Sequence, residues 1–261
     1  MSEDVRSRST VPASRAGTAA QTLRVCALYP DLMNIYADRG NLLMLERRCA
    51  WRRIAFELTG CGIGDALDPR GADIFYMGGG QDRDQMLCSE DLYEHKRELL
   101  GEAAERGAVI LGVCGGYQLM GHSYQLGDET LPGISLIDAR TVRSDGPRLT
   151  GNVAIEVELP GAGRRVLAGF ENHGGRTELG PGARPLGTVL KGHGNDGRSG
   201  VEGVRDGNVI GTYLHGPLLP KNAWFADWLI ATALRVELPL SPLDDTLEDL
   251  AHADARRAAG V

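Results

Sequence analysis

A cysteine flanked by glycines is the residue best placed for chemistry in this chain. Cys114 lies in the motif GVCGG (112–116), directly after the apolar run AVILGV (108–113). The run predicts a buried strand, and the apolar residues after the glycines predict the first turn of a helix. This spacing is typical of a nucleophile elbow, where the positive helix N-terminus favours the thiolate. The alternative is a small buried side chain in a glycine-rich bend, the usual place of a free cysteine.

The other cysteines lack this context. The chain has 5 cysteines, an odd number without any CxxC spacing, which argues against a disulfide framework and against a zinc ribbon. Cys26 falls in an apolar run and Cys49 on an apolar helix face, so we predict that both are core residues.

A thiolate that attacks an acyl group needs a general base. His215 follows the apolar run VIGTYL (209–214), and the carboxyl ends of parallel strands meet at one crevice. We therefore predict that His215 is the base that takes the thiol proton and later protonates the leaving amine. His173 is a rival in a similar position, for which we favour a structural or substrate-shaping role. His193 lies in a glycine-rich run typical of a loop tip.

The oxyanion of such a reaction needs backbone N–H donors that are already in position. Gly115 directly follows the cysteine, and the run Gly78-Gly79-Gly80 ends a neighbouring apolar segment. We name Gly79, Gly80 and Gly115 as candidates. The histidines have neither a short fixed spacing nor an adjacent pair of carboxylates, so we expect no metal site.

The pattern along the chain predicts the elements that must hold these residues. Apolar runs at 23–29, 73–77, 108–113 and 209–214 alternate with helical segments, as in an α/β fold with a parallel sheet. From about residue 131 the chain changes character, and NVAIEVEL (152–159) alternates apolar and polar residues like an antiparallel strand.

Two helices of the first half have recognisable ends. Asn41 is a candidate N-cap for a helix that places Leu42, Leu45 and Cys49 on one face. A charged helix is predicted at 89–106, closed by a glycine at position 107.

Composition and charge limit the class of protein. The 261 residues are 42% hydrophobic with a formal net charge of −7, which fits a globular chain and excludes a basic nucleic-acid-binding surface. We predict a flexible leader at 1–21, one domain at 22–235 and an acidic tail at 236–261. The tail is either a solvated terminus or a marginal helix docked on the body. Neither a membrane span nor a signal peptide is recognisable, so we expect a cytoplasmic protein.

Several motifs resemble a known family. GVCGGYQLMG around Cys114, the glycine run at 78–80 and TYLHGP around His215 are similar to the class I glutamine amidotransferases of the cobyric acid synthase branch. YPDLMNIYADRGN (29–41), PRLTGN, FENHGGRT and KGHGNDG more particularly resemble GatD, the family of glutaminase subunits of lipid II isoglutaminyl synthase. The resemblance covers about residues 23–234.

The resemblance implies a flavodoxin-like α/β/α fold and a heterodimer with a Mur-ligase-like subunit, MurT. Glutamine would be hydrolysed here without a cofactor in this subunit. The partner would use ATP and Mg²⁺ to amidate the D-glutamate α-carboxyl of lipid II, so that contact with the membrane is only indirect. Carried over by position, Cys114 is the nucleophile, His215 the base and Arg148 the residue that contacts glutamine.

The chain departs from the wider family after the catalytic histidine. That class has the pattern H-x-E, whereas this chain reads His215-Gly216-Pro217. Proline can neither accept a proton nor orient an imidazole, so the site is either a dyad or uses an orienting group from elsewhere in the fold. Two alternatives remain: another ATP-dependent amidase of cobyrinate type, and a non-catalytic scaffold.

Overall fold

The structure, a computed structural model, describes residues 21–35 and 39–261. The predicted leader lies outside the described residues, apart from its last residue, Gln21. The strands are β1 (Thr22–Leu28), β2 (Ala55–Cys61), β3 (Ile74–Met77), β4 (Val109–Val113), β5 (Ser123–Leu126), β6 (Glu129–Pro132), β7 (Ala139–Arg143), β8 (Leu149–Leu159), β9 (Gly163–His173), β10 (Gly175–Leu179), β11 (Gly187–Lys191), β12 (Val201–Glu202), β13 (Val204–Asp206) and β14 (Val209–Thr212). The helices are α1 (Arg39–Trp51), α2 (Asp82–Asp91), α3 (Arg97–Glu105), α4 (Gly115–Met120), α5 (Ala223–Leu234) and α6 (Thr246–Ala259).

A six-stranded sheet forms the centre, in the order β13-β14-β4-β3-β1-β2. All neighbours in it are parallel except β13 and β14. β3 and β4 are buried along their whole length, as expected for strands covered on both faces. The order of the parallel strands is that of a flavodoxin-like fold, in which α1 packs against α5 and α2 against α4. The predicted α/β fold with a mostly parallel sheet is confirmed.

The second half adds two smaller sheets, ordered β10-β7-β5-β6 and β12-β11-β8-β9. They are antiparallel except for the pair β5 and β7. The longest pairing is the hairpin of β8 and β9, which runs from Leu149 opposite His173 to Leu159 opposite Gly163. This agrees with the more antiparallel character predicted for the second half.

Strand β9 joins its own sheet to the central one. On the edge of β9 that faces away from β8, Phe170 also pairs with His215, which lies three residues after the end of β14. The Phe170 N–H donates to the His215 carbonyl at 3.1 Å, and the His215 N–H donates to the Phe170 carbonyl at 2.9 Å. The two halves of the fold are therefore fixed to each other at the predicted base.

Two predictions about helix ends were wrong. Asn41 is buried within α1 and is not an N-cap: its amide donates to the Tyr76 hydroxyl at 2.9 Å and accepts the Leu219 N–H at 2.8 Å. The helix predicted to begin at Ser89 begins at Asp82, two residues after the last glycine of the run. A π-helical turn at 92–96 joins α2 to α3.

The acidic tail forms a docked helix, the second of the two alternatives that the sequence left open. α6 packs on β8 and β9. Asp245, just before it, contacts the buried Arg48 of α1, and the His252 ring bonds the Lys221 carbonyl at 2.9 Å. Within the described ranges, no helix combines the length and the apolar character needed to cross a bilayer.

Candidate active site

Cys114 stands alone between a strand and a helix. β4 ends at Val113 and α4 begins at Gly115, so the cysteine occupies the corner that the sequence predicts. Its backbone has φ of 52° and ψ of −105°, a left-handed conformation that non-glycine residues rarely adopt. Strain of this kind, imposed by the surrounding fold, is characteristic of nucleophile elbows.

The glycines around the corner are required by close packing. A Cβ on Gly112 would lie 2.3 Å from the Met120 sulfur, and one on Gly116 would lie 2.3 Å from the Met77 carbonyl oxygen. Real Cβ atoms essentially never approach so closely. The strand, the helix and the neighbouring strand β3 can therefore meet at Cys114 only because these positions carry no side chain.

A cavity of about 320 Å³ opens beside the corner. Cys114, Gly80 and Arg148 are all among the residues that line it. The predicted nucleophile, one oxyanion candidate and the predicted glutamine contact thus share one cavity. Cys114 is 5% exposed at its floor.

The other two oxyanion candidates lie next to this lining. A Cβ on Gly115 would be only 2.8 Å from the backbone nitrogen of Gly80, so the two backbones touch. The Gly79 carbonyl accepts the Ile35 N–H at 3.1 Å, which ties the glycine run to the segment after β1. The oxyanion roles stay predictions.

His215 lies at the same edge of the central sheet as Cys114. β14 and β4 are parallel neighbours, and the Cys114 N–H donates to the Thr212 carbonyl at 2.8 Å. The imidazole is 1% exposed, and its Nε2 accepts the Asn172 N–H at 3.1 Å. Burial, together with the nearby cations, lowers the pKa of His215 to about 4, so the ring is neutral at physiological pH.

Arg148 is exposed and precedes β8. Its guanidinium donates from Nε to the Asn172 side-chain oxygen at 2.7 Å and from Nη2 to the Asn172 carbonyl at 2.6 Å. A guanidinium fixed at the rim of a cavity can hold a carboxylate through parallel hydrogen bonds. Binding of glutamine by Arg148 stays a prediction.

The structure also brings in residues that sequence reasoning missed. Gln85 and Gln118 line the cavity, where the Gln85 amide donates to Gln118 at 3.0 Å and the Gln118 amide donates to the Tyr213 hydroxyl at 3.2 Å. Gln118 lies one helical turn after Cys114, a spacing that could have drawn attention to it. Gln85 carries no such local signal.

His173 lines the same cavity and stacks on Tyr213 with ring centroids 3.6 Å apart. Its Nδ1 lies 2.8 Å from the Gly175 carbonyl oxygen. The ring is thus packed as a wall of the cavity, consistent with the substrate-shaping role that we favour. His193 lies on an exposed loop, as its sequence indicates.

Two buried carboxylates lie behind the site. Glu171 accepts the backbone N–H groups of His193 and Gly194 at 2.6 and 3.0 Å. Glu202 accepts the Thr212 hydroxyl and the Tyr213 N–H, and burial raises its pKa to about 8.

Where the family pattern has a glutamate, Pro217 packs against Gly40. Among the described residues, no group of three His, Cys, Asp or Glu side chains could hold a metal ion.

The remaining cysteines are core residues. Burial raises the pKa of Cys26 to about 11, of Cys49 to about 12 and of Cys88 to about 12. Their thiols therefore stay protonated at neutral pH, unlike an attacking thiolate.

Comparisons with known proteins agree with this architecture. A family model of the CobB/CobQ-like glutamine amidotransferase domain matches residues 24–223. The GatD subunit of lipid II isoglutaminyl synthase (glutamine-hydrolyzing) from Staphylococcus aureus is 40% identical over 214 residues, 81% of this chain and 85% of that subunit. The corresponding subunit from Streptococcus pneumoniae is 35% identical over 223 residues, 85% of this chain and 84% of that one. PurLQS from Thermotoga maritima shares the fold, with a TM-score of 0.56 at 21% identity over 82% of this chain and 95% of that one. The chain therefore belongs to the CobB/CobQ-like glutamine amidotransferase family and, within it, to the GatD group.

Proposed function

We propose that this chain is the glutaminase subunit of a lipid II isoglutaminyl synthase. It hydrolyses L-glutamine to glutamate and ammonia and passes the ammonia to a synthase subunit. The observation that carries the proposal is the strained Cys114 corner, opening on a cavity that Arg148 lines, in a chain 40% identical to a GatD subunit over most of its length.

The reaction follows from the positions of the side chains. Glutamine binds with its α-carboxylate on Arg148, which places its side-chain amide near the floor of the cavity. The Cys114 sulfur attacks the amide carbon, and the N–H groups of Gly80 and Gly115, with that of Gly79, stabilise the oxyanion. His215 carries the thiol proton to the departing ammonia, and water then hydrolyses the thioester to glutamate.

The partner is a Mur-ligase-like subunit, MurT, in a heterodimer that works in the cytoplasm. ATP and Mg²⁺ belong to that subunit, which activates the α-carboxyl of D-glutamate in the lipid II stem peptide. Free ammonia would be protonated or lost to solvent. In the heterodimer, the synthase subunit uses the ammonia released by glutamine hydrolysis. The product is D-isoglutamine in the peptidoglycan precursor.

The test uses the complex of this chain with its co-purified partner. Cys114→Ala should abolish glutamine-dependent amidation of lipid II, while a large excess of ammonium still supports it. Cys61→Ser is the matched control, because Cys61 is buried in the edge strand of the central sheet. This variant should retain both the glutamine-dependent and the ammonium-dependent amidation. Loss of the ammonium route in the Cys114 variant would show a structural rather than a nucleophilic role.

The alternatives give different results in the same assay. Another ATP-dependent amidase, of cobyrinate type, would consume glutamine and ATP with its own acceptor and leave lipid II unamidated. A non-catalytic scaffold would not react with a thiol-directed glutamine analogue. The proposal requires that this analogue label Cys114 and that excess glutamine protect it.

A further inference from the structure

Asn172 contacts both the predicted substrate-binding residue and the predicted base. It lies near the end of β9, two residues after the bridge between Phe170 and His215. Its side-chain and main-chain oxygens accept the Nε and Nη2 protons of Arg148, and its N–H donates to His215 Nε2. These bonds form a continuous chain from the rim of the cavity to the imidazole.

The bond to His215 decides the protonation of the ring. A ring nitrogen that accepts an N–H uses its lone pair in that bond, so the proton of the neutral imidazole lies on Nδ1. An imidazolium carries protons on both nitrogens. Whichever nitrogen faces Cys114, His215 cannot become charged until the Asn172 N–H moves away from Nε2.

The charges around His215 favour the same neutral state. Burial holds the pKa of His215 well below its ordinary value, and the nearby His173, Lys221 and Arg148 add to this effect through their charges. The ring is therefore neutral, but it cannot take the thiol proton while its Nε2 lone pair accepts the Asn172 N–H and its own proton lies on Nδ1.

The bonds to Arg148 show how the arrangement can be released. Nε and Nη2 form one edge of the guanidinium, an edge that binds a carboxylate through two parallel hydrogen bonds. Both donors of that edge are occupied by Asn172. A carboxylate that binds this edge must displace the side-chain oxygen and the carbonyl oxygen of Asn172. The Thr150 hydroxyl, directly opposite on β8 and 3.2 Å from the same side-chain oxygen, gives Asn172 another partner when Arg148 leaves.

We propose that Asn172 is a positioning residue that couples the binding of the glutamine α-carboxylate at Arg148 to the release of His215 as a base. The inference rests on the proposed function. Without substrate, Arg148 holds Asn172 where its N–H blocks His215. When the carboxylate takes Arg148, the Asn172 backbone is released from Arg148 and its N–H turns away from Nε2. His215 then accepts the Cys114 proton as the carbon–sulfur bond forms, and it gives that proton to ammonia as the carbon–nitrogen bond breaks.

The test is a ¹⁵N NMR titration of the full chain with labelled histidine, in which His215→Gln identifies the His215 signals. Arg148→Lys keeps the positive charge but loses the guanidinium edge that donates two parallel hydrogen bonds. The proposal expects the His215 midpoint to rise by about one pH unit in Arg148→Lys, because the block is loosened without a change of charge. Arg148→Ala reports the added effect of removing the cation.

Thr150→Val is the matched control, because it removes a bond to the same Asn172 oxygen but leaves Arg148 in place. Its midpoint should equal that of the wild type. A midpoint that rises in Arg148→Ala but not in Arg148→Lys would show a charge effect and overturn the inference. A rise in Thr150→Val as large as in Arg148→Lys would also overturn it, because the release would not depend on Arg148.

The coupling itself is tested in Cys114→Ala with saturating glutamine. The proposal expects the His215 signals to lose the Nδ1–H pattern and the midpoint to rise when glutamine binds. If glutamine shifts signals of the cavity but leaves His215 in its neutral form, the coupling is wrong while the proposed function stands. If glutamine shifts no signal at all, the proposed function itself fails.

Discussion

Gly116→Ala tests whether close packing at the corner holds the nucleophile in place. Gly116 lies in α4, two residues after Cys114, with its backbone N–H bonded to the Gly78 carbonyl at 3.0 Å. The new Cβ would lie 2.3 Å from the Met77 carbonyl oxygen, and ordinary contacts begin at 3.4 Å. Met77 ends a wholly buried strand, so the strand cannot move aside.

The size of the effect follows from this geometry. The helix must move by about 1 Å, since the atom that the Cβ meets is backbone rather than the end of a flexible side chain. Overpacking of this kind costs about 1–3 kcal/mol of unfolding free energy. A misplacement of about 1 Å in a catalytic group can cost about 100-fold in rate. We therefore expect a folded protein with a moderate loss of stability and a large loss of glutamine hydrolysis.

Gly101→Ala is the matched control, because Gly101 lies in α3 with no heavy atom within 4 Å of an added Cβ. It should stabilise the chain by about 0.5–1 kcal/mol, since alanine favours helix, and leave turnover unchanged. The measurements are glutamine turnover of the complex and urea unfolding of the chain. Full activity in Gly116→Ala would refute the argument that this glycine positions Cys114.

Two further predictions concern buried charges. Arg48 is fully buried between Asp227 and Asp245. Arg48→Met should therefore lower the free energy of unfolding, measured with urea, by about 3–5 kcal/mol. Asp245 is the more exposed of the two partners, so Asp245→Asn should lower it by only about 1 kcal/mol. Equal losses in the two variants would contradict this difference. Burial raises the pKa of Glu202 to about 8, whereas its pKa in the unfolded chain is near 4.5. The contribution of Glu202 to stability is therefore complete below pH 4.5 and is lost as the pH rises through 8. Glu202→Gln should therefore unfold with less dependence on pH between 6 and 9 than the wild type, and an unchanged dependence would contradict the raised pKa.

The sequence predicts the nucleophile because its signals are local. An apolar strand, a cysteine and glycines follow one another within a few residues, and each residue type has a direct steric reason. The position of His215, the predicted base, was also accessible from the sequence, because parallel strands end at a common edge and His215 follows one of them. The alternation of apolar runs with helical segments was sufficient to predict an α/β fold with a mostly parallel sheet.

Residues whose role depends on distant partners were harder to predict. Asn41 has the local pattern of an N-cap, but its partners Tyr76 and Leu219 are remote in sequence, and the tertiary contacts outweigh the local preference. The start of α2 was missed because the polar residues after the glycine run resemble a turn. The sequence signal for this helix start was an acidic residue three positions after the N-cap Gln81. In the structure the Asp84 carboxylate accepts the Gln81 N–H at 3.3 Å.

The site combines two structural units that have separate patterns in the sequence. Cys114 belongs to the central sheet, whereas Arg148 and Asn172 belong to the β8–β9 hairpin. The two backbone bonds between Phe170 and His215 fix the distance between these units. Because β9 carries both the bridge to His215 and the partner of the Arg148 guanidinium, a shift of the hairpin moves both predicted site residues together. The hairpin therefore sets the positions of Arg148 and His215 together, and no single stretch of sequence displays that link.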